Sequence, residues 1–241
     1  MDSWRPLKPG LLQGMVILMG AVCLAAQQTP SLPIPGGHSD HGTFILKLAG
    51  KEYGTEKFSV ESTNKQVVAQ SESQLRDGVT GQFIRTNSRL VLDTSLNPQS
   101  YTWSDKGPEK FELTVDFSSK PAKSQLHRPN GKDDIREFQL PQDVLILDNN
   151  VILHYQILVD KFAQAGGGKQ AFQAYIPQSA VPGTLTVQDA GTETIPLGGS
   201  PRELHHLVVL SDNAQIDLWV GEDNRLQRLY WSAAQIEALR Q

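Results

Sequence analysis

Apolar and polar residues alternate with a period of two along much of this chain. In residues 111–117 (FELTVDF) every second residue is apolar, and the residues between them are Glu, Thr and Asp. Residues 44–48 begin in the same way, with Phe44, Leu46 and Leu48 on one face. Because successive side chains of a strand point to opposite sides of the sheet, this alternation predicts β-strands with one buried and one solvated face.

Similar short runs recur to the end of the chain, separated by turn residues such as Asn130-Gly131 and Asp189-Ala190-Gly191. Many short strands joined by tight polar turns are typical of an antiparallel sheet. We therefore predict a mainly β (α+β) fold, in which one antiparallel sheet is strongly curved or forms a half-barrel. The predicted strands include 43–48, 58–60, 89–94, 101–104, 111–117, 135–140, 170–176, 184–188, 192–197, 204–210, 215–220 and 225–231.

The segment 148–168 (DNNVILHYQILVDKFAQAGGG) departs from this period. Its apolar residues fall on one side of a helical wheel. These residues are Val151, Ile152, Tyr155, Leu158, Val159 and Phe162. Asp148 or Asn149 offers a helix N-cap, and Gly166 to Gly168 offer a left-handed C-terminal stop. The run is also rich in β-branched residues, as a strand would be, but the caps and the length favour an amphipathic helix over 149–164, packed on the concave face of the sheet.

Residues 1–26 have the three parts of a secretory signal peptide. Arg5 and Lys8 precede an apolar run from 11 to 26, which ends in the small residues Ala25 and Ala26. The run is shorter than the roughly 20 residues that a membrane-spanning helix needs, so we expect cleavage after Ala25 or Ala26 rather than an anchor. The protein is then periplasmic or secreted, with no transmembrane span left after cleavage.

The remaining chain divides into a lead-in and one domain. Residues 27–42 contain three prolines and three glycines and show little apolar periodicity, which predicts a flexible segment. Residues 43–241 are predicted to form a single β-rich domain, a size that all-β domains commonly reach.

Cys23 is the only cysteine of the 241 residues, and it lies within the predicted leader. The mature protein would therefore have neither disulfides nor thiol chemistry. The alternative, that Cys23 is the acylated residue of a lipoprotein, is disfavoured because Val22 stands where such signals have a small residue.

The chain is mildly acidic. Its 22 Lys and Arg and 26 Asp and Glu give a formal net charge of −4 at pH 7, and loss of Arg5, Lys8 and Asp2 with the leader makes it −5. Proteins that bind nucleic acid carry a basic surface, so nucleic acid is not an expected partner.

Candidate functional residues come from aromatic and histidine side chains, because the motifs of common secreted hydrolases, G-x-S-x-G and H-E-x-x-H, do not occur. No cofactor and no metal are predicted, since His38 and His41 alone are too few ligands for a structural zinc site. The remaining aromatics fit an ordinary core, or alternatively an apolar cleft between helix and sheet. The candidate ligand-binding residues are Tyr101, Trp103, His154, Tyr155, Phe162, His206 and Trp219.

The strings LDNNVILHYQILVDKF, AFQAYIPQ and AQIDLWVGEDNRLQRL, within roughly 145–230, resemble a family of uncharacterised exported bacterial β-sheet proteins. More distantly, the order of strands and helix is similar to the periplasmic lipoprotein-carrier fold (LolA/LolB-like), an unclosed barrel with helices in its concave face. That resemblance implies a hydrophobic cleft and a carrier role, and it carries over no catalytic residues. The carriers use more than one such helix, whereas this sequence predicts one.

These observations lead to three functional hypotheses. The first is an exported, non-enzymatic protein that binds a hydrophobic small molecule or lipid-like group. The second is a structural or protein-interaction module of the cell envelope, which would use a sheet edge or the C-terminal hairpin 214–231. The third is a hydrolase in which His206 or His154 meets two carboxylates in a deep pocket.

Overall fold

A computed structural model describes residues 39–78, 80–107, 110–129, 131–212 and 214–241. The predicted signal peptide 1–26 and most of the predicted lead-in lie outside these residues. The first strand begins at Ser39, so residues 39–42 belong to the sheet and the predicted boundary at residue 43 moves to residue 39. These four residues are ordered because each pairs with a residue of the next strand, and because Asp40 forms a buried ion pair with Arg240.

Fifteen strands and one α-helix make up the described fold. The helix, α1, spans Leu153–Gln164. The strands are β1 (Ser39–Leu48), β2 (Lys51–Ser62), β3 (Val67–Arg76), β4 (Phe83–Leu92), β5 (Pro98–Asp105), β6 (Glu112–Asp116), β7 (Ala122–His127), β8 (Asp134–Phe138), β9 (Leu145–Ile146), β10 (Lys169–Ile176), β11 (Val181–Leu197), β12 (Ser200–Ser211), β13 (Ala214–Val220), β14 (Leu226–Trp231) and β15 (Ile236–Arg240).

All fifteen strands form one open, curved sheet. Across the sheet, β8 is one edge, and β7 to β1 follow it in descending order. β15 pairs with β1, and the strands then descend again from β14 to β9, which is the other edge. Every pairing is antiparallel except that of the short β9 with β10. The two edges approach each other. The ring of Phe138, on the edge strand β8, lies 4.9 Å from that of Tyr175 on β10, which is next to the other edge strand, β9. The predicted mainly β class with a curved, half-barrel-like sheet is confirmed.

The helix lies on the concave face and completes the core. Leu153, Ile157 and Leu158 are buried in the same apolar cluster as residues from nearly every strand. In β6 the inward positions are those that the alternation assigns, Leu113 and Val115. A fully buried Leu side chain contributes about 1.5–3 kcal/mol relative to an exposed one, so packing of this helix against the sheet stabilises the fold. No helix among the described residues has the length and apolar character needed to cross a membrane.

The two ends of the helix differ in how well the sequence anticipated them. The C-terminal stop is confirmed, since Gly166 to Gly168 all have positive φ and the Gly167 N–H donates to the carbonyl of Phe162. The predicted start at 149 and the predicted cap by Asp148 or Asn149 are wrong. The helix begins at Leu153, and no residue next to it in sequence supplies a side-chain cap. The carboxylate of Glu56, on β2, takes that role.

The predicted turn at 189–191 is also wrong, because the chain continues through these residues as a strand. Residues 184–188 and 192–197 belong to one long strand, β11, in which the pairing with β12 shifts register between Asp189 and Thr192. The Asp189 carboxylate accepts the N–H of Gly191 at 2.8 Å, and Gly191 has a φ of 91°. A glycine with positive φ at such a shift is typical of a β-bulge, which bends a strand without ending it.

Beyond this bulge, the β11–β12 hairpin folds over the outer face of the sheet. Its Ile195 and Leu197 pack with Trp219 of β13, and Tyr230 of β14 and Leu239 of β15 lie against the same cluster. This is a second, smaller apolar cluster on the side of the sheet opposite the helix.

Candidate ligand-binding cleft

A cleft of about 780 Å³ lies between the N-terminal half of the helix and the concave face of the sheet. One wall is the segment from Leu147 to Tyr155, which runs from β9 into the helix. The other wall comes from β1, β2 and the strands β10 to β15. Both walls are on the concave side, where the aromatic residues fit either an ordinary core or an apolar cleft.

The interior of the cleft is predominantly apolar. Its side chains come from positions that alternate along neighbouring strands, for example Val209 on β12 and Ile216 on β13, which pair directly. The apolar lining residues are Leu46, Tyr53, Leu147, Val151, Ile152, Tyr155, Ala174, Ile176, Val181, Pro182, Leu185, Val209, Ala214, Ile216, Leu229, Trp231 and Ile236.

Polar residues gather at one end of the cleft. We call Asn149, Asn150, Gln178, Ser211 and Asp212 the polar rim. Four of these five side chains are exposed, and Gln178 is half-buried. Beside them, Val181 is 49% exposed, which is high for an aliphatic side chain. The cleft is therefore apolar inside, with a hydrated and partly apolar opening.

The rim is fixed by a buried network around Asp148. The Tyr101 hydroxyl donates to Asp148 Oδ2 at 2.6 Å, and the N–H groups of Asn149 and Gln178 donate to Asp148 Oδ1 at 3.0 and 2.9 Å. Burial raises the pKa of Asp148, and these donors oppose that rise. One carboxylate thus joins the segment before the helix to the turn after β10, which sets the spacing of the rim.

His154 reinforces this network as a neutral side chain. Its Nδ1 accepts the backbone N–H of Asp148 at 3.0 Å, so the ring proton is on Nε2, which has no hydrogen-bond partner among the described residues. Burial lowers the pKa of His154 to about 3. The ring lies edge-on to Tyr101, with centroids 5.4 Å apart. His154 therefore acts here as a packed hydrogen-bond acceptor.

The side chain of Glu56, on β2, caps the N-terminus of the helix. Its two carboxylate oxygens accept the N–H groups of Ile152 and Leu153 at 2.7 and 3.0 Å, and the Ser71 hydroxyl also hydrogen-bonds to it. An acidic group at this position satisfies two unpaired helix N–H groups and interacts favourably with the helix dipole. Burial nevertheless dominates and raises the pKa of Glu56 to about 7.

Two further polar side chains fasten the helix to the sheet. Gln156 donates to the carbonyl of Asn224 at 2.8 Å and accepts the N–H of Leu226 at 2.7 Å. Lys161 donates to the carbonyls of Asp143 and Leu96 at 2.7 and 3.3 Å, and burial lowers its pKa. The helix is therefore held along its length by hydrogen bonds as well as by apolar packing.

Five of the seven predicted site residues lie on the helix side of the sheet, but only Tyr155 lines the cleft. Tyr101 and His154 are buried beneath its rim. Trp103 lines a separate pocket of about 280 Å³, between β5–β8 and the turn at 177–180. Phe162 packs in the main core near the end of the helix.

His206 and Trp219 do not belong to this group, which corrects the expectation that one cleft collects all seven residues. Their rings stack on the outer face, with centroids 5.0 Å apart, and Arg228 covers the other face of Trp219 at 4.5 Å. His206 does meet two carboxylates, Asp217 at 2.9 Å and Glu193 at 3.5 Å, as the hydrolase hypothesis required. His206 and these two carboxylates lie on the outer face under the β11–β12 hairpin, beside the stacked rings. Glu193 there also accepts the indole N–H of Trp219 at 2.8 Å.

The sequence does not show on which side of the sheet His206 lies, because a period of two does not say which phase faces the core. In β12 the core positions are Leu207 and Val209, and Leu204 and His206 face outward. Tyr53 and Trp231 of the cleft were missed. Trp231 could have been found, since it lies two residues after Leu229 and so shares the inward face of β14.

The described residues contain no cluster of three His, Cys, Asp or Glu side chains that would hold a metal ion. The hairpin 214–231, considered above as an interaction surface, consists of β13 and β14, which pair with β12 and β15 on their outer sides and therefore offer no free edge. β8 is an edge strand of the sheet.

Neither the models of protein families nor the curated proteins give a match to this chain. Among solved structures, the fold is similar to a β-barrel-like protein of the domain of unknown function DUF1849 from Brucella abortus, with a TM-score of 0.54 and 8% sequence identity, over 83% of this chain and 94% of that chain. A DUF1089 family protein from Pseudomonas aeruginosa is also similar, with a TM-score of 0.45 and 13% identity, over 71% of this chain and 86% of that chain. The predicted likeness to lipoprotein carriers stays a prediction, and the first of these comparisons places the chain among proteins with a β-barrel-like fold.

Proposed function

We propose that this protein is exported and that its concave cleft binds a hydrophobic ligand without catalysing a reaction on it. The observation that carries the proposal is the cleft itself, about 780 Å³ in volume and lined mainly by apolar side chains between helix and sheet. Small-molecule sites are typically concave, apolar and roughly 300–1,000 Å³ in volume, with a few polar groups that orient the ligand.

The second support is that the cleft is already formed. The helix wall is fixed by Glu56 at its start, by Gln156 in its middle and by Lys161 towards its end. The rim is fixed by Asp148. A ligand that enters a site whose walls are held in place loses less free energy to ordering of the protein.

The proposed location rests on residues 1–26, whose basic, apolar and small-residue parts match a secretory leader. Export would place the cleft in the periplasm or outside the cell, where a hydrophobic molecule needs a carrier to cross water. N-terminal sequencing of protein from a periplasmic fraction tests this part. We expect the mature chain to begin at residue 26 or 27, and a chain that retains residues 1–25 would contradict export by cleavage.

Binding is tested with the uncharged fluorescent probe N-phenyl-1-naphthylamine and the mature chain. We expect saturable binding at a one-to-one ratio, with increased fluorescence. Ile216→Trp places a large side chain in the cleft, and Gln215→Trp places the same side chain on the opposite face of the same strand, where it is exposed. We expect at least ten-fold weaker binding for Ile216→Trp and a change of less than two-fold for Gln215→Trp.

A third variant tests binding at a position where loss of folding is not expected. Val181→Asp introduces a charge at the exposed side of the opening, where a polar side chain remains hydrated, and we expect it to weaken binding with an unchanged circular dichroism spectrum. Wild-type protein that fails to bind the probe, or equal binding by all three variants, would refute the proposal. Native mass spectrometry of protein from its own periplasm then identifies the bound molecule.

A further inference from the structure

We propose that the cleft selects single-chain amphiphiles by their polar group, preferring an ammonium group to a hydroxyl and a hydroxyl to a carboxylate or phosphate. This inference rests on the proposed ligand-binding function and names the class of ligand. It comes from the charges and hydrogen-bonding groups of the polar rim.

The ionisable lining is acidic. Among the described residues that line the cleft there is no Lys, Arg or His, whereas Asp148 and Asp212 contribute carboxyl groups. Asp148 is buried and committed to its internal hydrogen bonds. Asp212 is exposed and lines the cleft at its rim. A like charge placed there is repelled and an opposite charge is attracted.

The neighbouring pocket, which shares Gln178 with the cleft, has two arginines. The guanidinium of Arg136 binds Asp134 at 2.7 Å, and that of Arg128 lies over the ring of Phe111. An anionic head group at the rim would therefore meet no cation that lines the cleft.

The hydrogen-bonding groups of the rim point to the same preference. The Asn149 side-chain amide donates to the Ser179 hydroxyl at 2.9 Å, and that of Gln178 donates to the backbone carbonyl of Asn149 at 3.0 Å. Each of these contacts uses one of the two N–H groups of its amide, so the rim keeps N–H donors and also offers the amide oxygens and the Asp212 carboxylate as acceptors. An ionised carboxylate only accepts hydrogen bonds, an ammonium group only donates them, and a hydroxyl does both. The amides and hydroxyls of the rim serve any of the three head groups, and the acceptor-only carboxylate of Asp212 favours the ammonium group.

The apolar part of the ligand would occupy the interior between Leu229 and Tyr155, and its polar group would remain at the hydrated rim. No charge needs to be buried, because Asn149, Asp212 and Val181 are exposed. An extended single chain fits this division, since one end of the cleft is polar and the rest is apolar.

The test compares three compounds of equal chain length, dodecylammonium, dodecan-1-ol and dodecanoate, below their micellar concentrations. Each displaces N-phenyl-1-naphthylamine from the mature protein at pH 7.5. We expect dodecanoate to bind at least ten-fold more weakly than dodecan-1-ol, and dodecylammonium to bind at least three-fold more tightly.

Asp212→Asn keeps the size of the side chain and removes its charge. We expect it to abolish the advantage of dodecylammonium over dodecan-1-ol without weakening the binding of the alcohol. Glu222→Gln removes an exposed carboxylate at the other end of β13 and should leave all three affinities within two-fold of wild type.

The outcomes separate the two proposals. Equal affinities for the three compounds, tightest binding of dodecanoate, or an unchanged order in Asp212→Asn would overturn the inference and leave ligand binding intact. Failure of all three compounds and of the probe to bind would overturn the proposed function together with the inference.

Discussion

Replacement of Glu56 by Gln removes a buried charge at the point where sheet and helix meet. Glu56 is fully buried on β2, and its carboxylate accepts two backbone N–H groups at the start of the helix. Gln has nearly the same shape and remains neutral at every pH of interest, but its amide nitrogen cannot accept one of the two helix N–H groups. The lost hydrogen bond lowers stability by the same amount at every pH, so ionisation of Glu56 is the part of the difference that changes with pH.

The sign of the effect follows from the raised pKa. Burial raises the pKa of Glu56 from 4.5 to about 7, so the folded protein binds this proton more tightly than the unfolded chain does. The resulting stabilisation is fully present below pH 4.5 and is lost as the pH rises through 7. At about 1.4 kcal/mol per pKa unit, the free energy of unfolding gains about 2.5 kcal/mol from this group between pH 9 and pH 5.

Urea denaturation of wild type and Glu56→Gln from pH 5 to pH 9 measures this gain as a difference between the two proteins. The raised pKa of Asp160 and the lowered pKa of His154 also make stability depend on pH, but they act in both proteins and cancel in the difference. Glu61→Gln, at an exposed position of the same strand, controls for the loss of a surface carboxylate. A difference between wild type and Glu56→Gln that is constant within about 0.5 kcal/mol would refute the reasoning, because a carboxyl group whose pKa differs between the folded and unfolded states must link proton binding to folding.

Three further substitutions test the other polar contacts, each by urea denaturation. Lys161→Met leaves two backbone carbonyls without their side-chain donor, and we expect a loss of about 1–3 kcal/mol, against no loss if the lysine is only tolerated there. Tyr101→Phe removes the hydroxyl that donates to Asp148, and we expect the free energy of unfolding to fall by about 1.5–3 kcal/mol. NMR titration of this variant should also find a higher pKa for the Asp148 carboxyl group. An unchanged pKa would contradict the assigned hydrogen bond. Trp219→Phe removes the hydrogen bond to Glu193, and we expect the free energy of unfolding to fall by about 1–3 kcal/mol. We also expect a protease to cleave the hairpin over residues 190–203 faster than in wild type. An unchanged rate of cleavage would argue against packing of the hairpin on the outer face.

Local patterns were enough for the β-rich class, for strands such as β6 and for the end of the helix, whereas β3, β7, β9 and β15 are not among the predicted strands. The alternation in 111–117 assigned Leu113 and Val115 to the core, and three successive glycines marked the helix stop at 166–168. Both signals depend on conformational preferences of residues that are neighbours along the chain, so the sequence contains all the information needed to recognise them.

The start of the helix shows where local patterns fail. Asp148 and Asn149 were reasonable caps by type and position, but Asp148 instead binds Tyr101 and the Gln178 N–H, and the cap comes from Glu56, 96 residues before Ile152 in the chain. Glu56 reads in the sequence as one polar residue among others in a strand. Its burial becomes evident only when β2 lies under the helix.

The features of the candidate site likewise fall into those that the sequence determined and those that only the tertiary structure decided. The sequence by itself determined that aromatic and aliphatic residues would line the inside of a curved sheet, and that a single amphipathic helix would cover part of it. The tertiary structure alone decided that Tyr155 faces the cleft, that His206 and Trp219 lie on the outer face, and that β1 pairs with β15. The physical reason is that a period of two fixes which residues share a face, whereas the choice between the two faces and the pairing of distant strands depends on the free energy of burying the whole sheet around its helix.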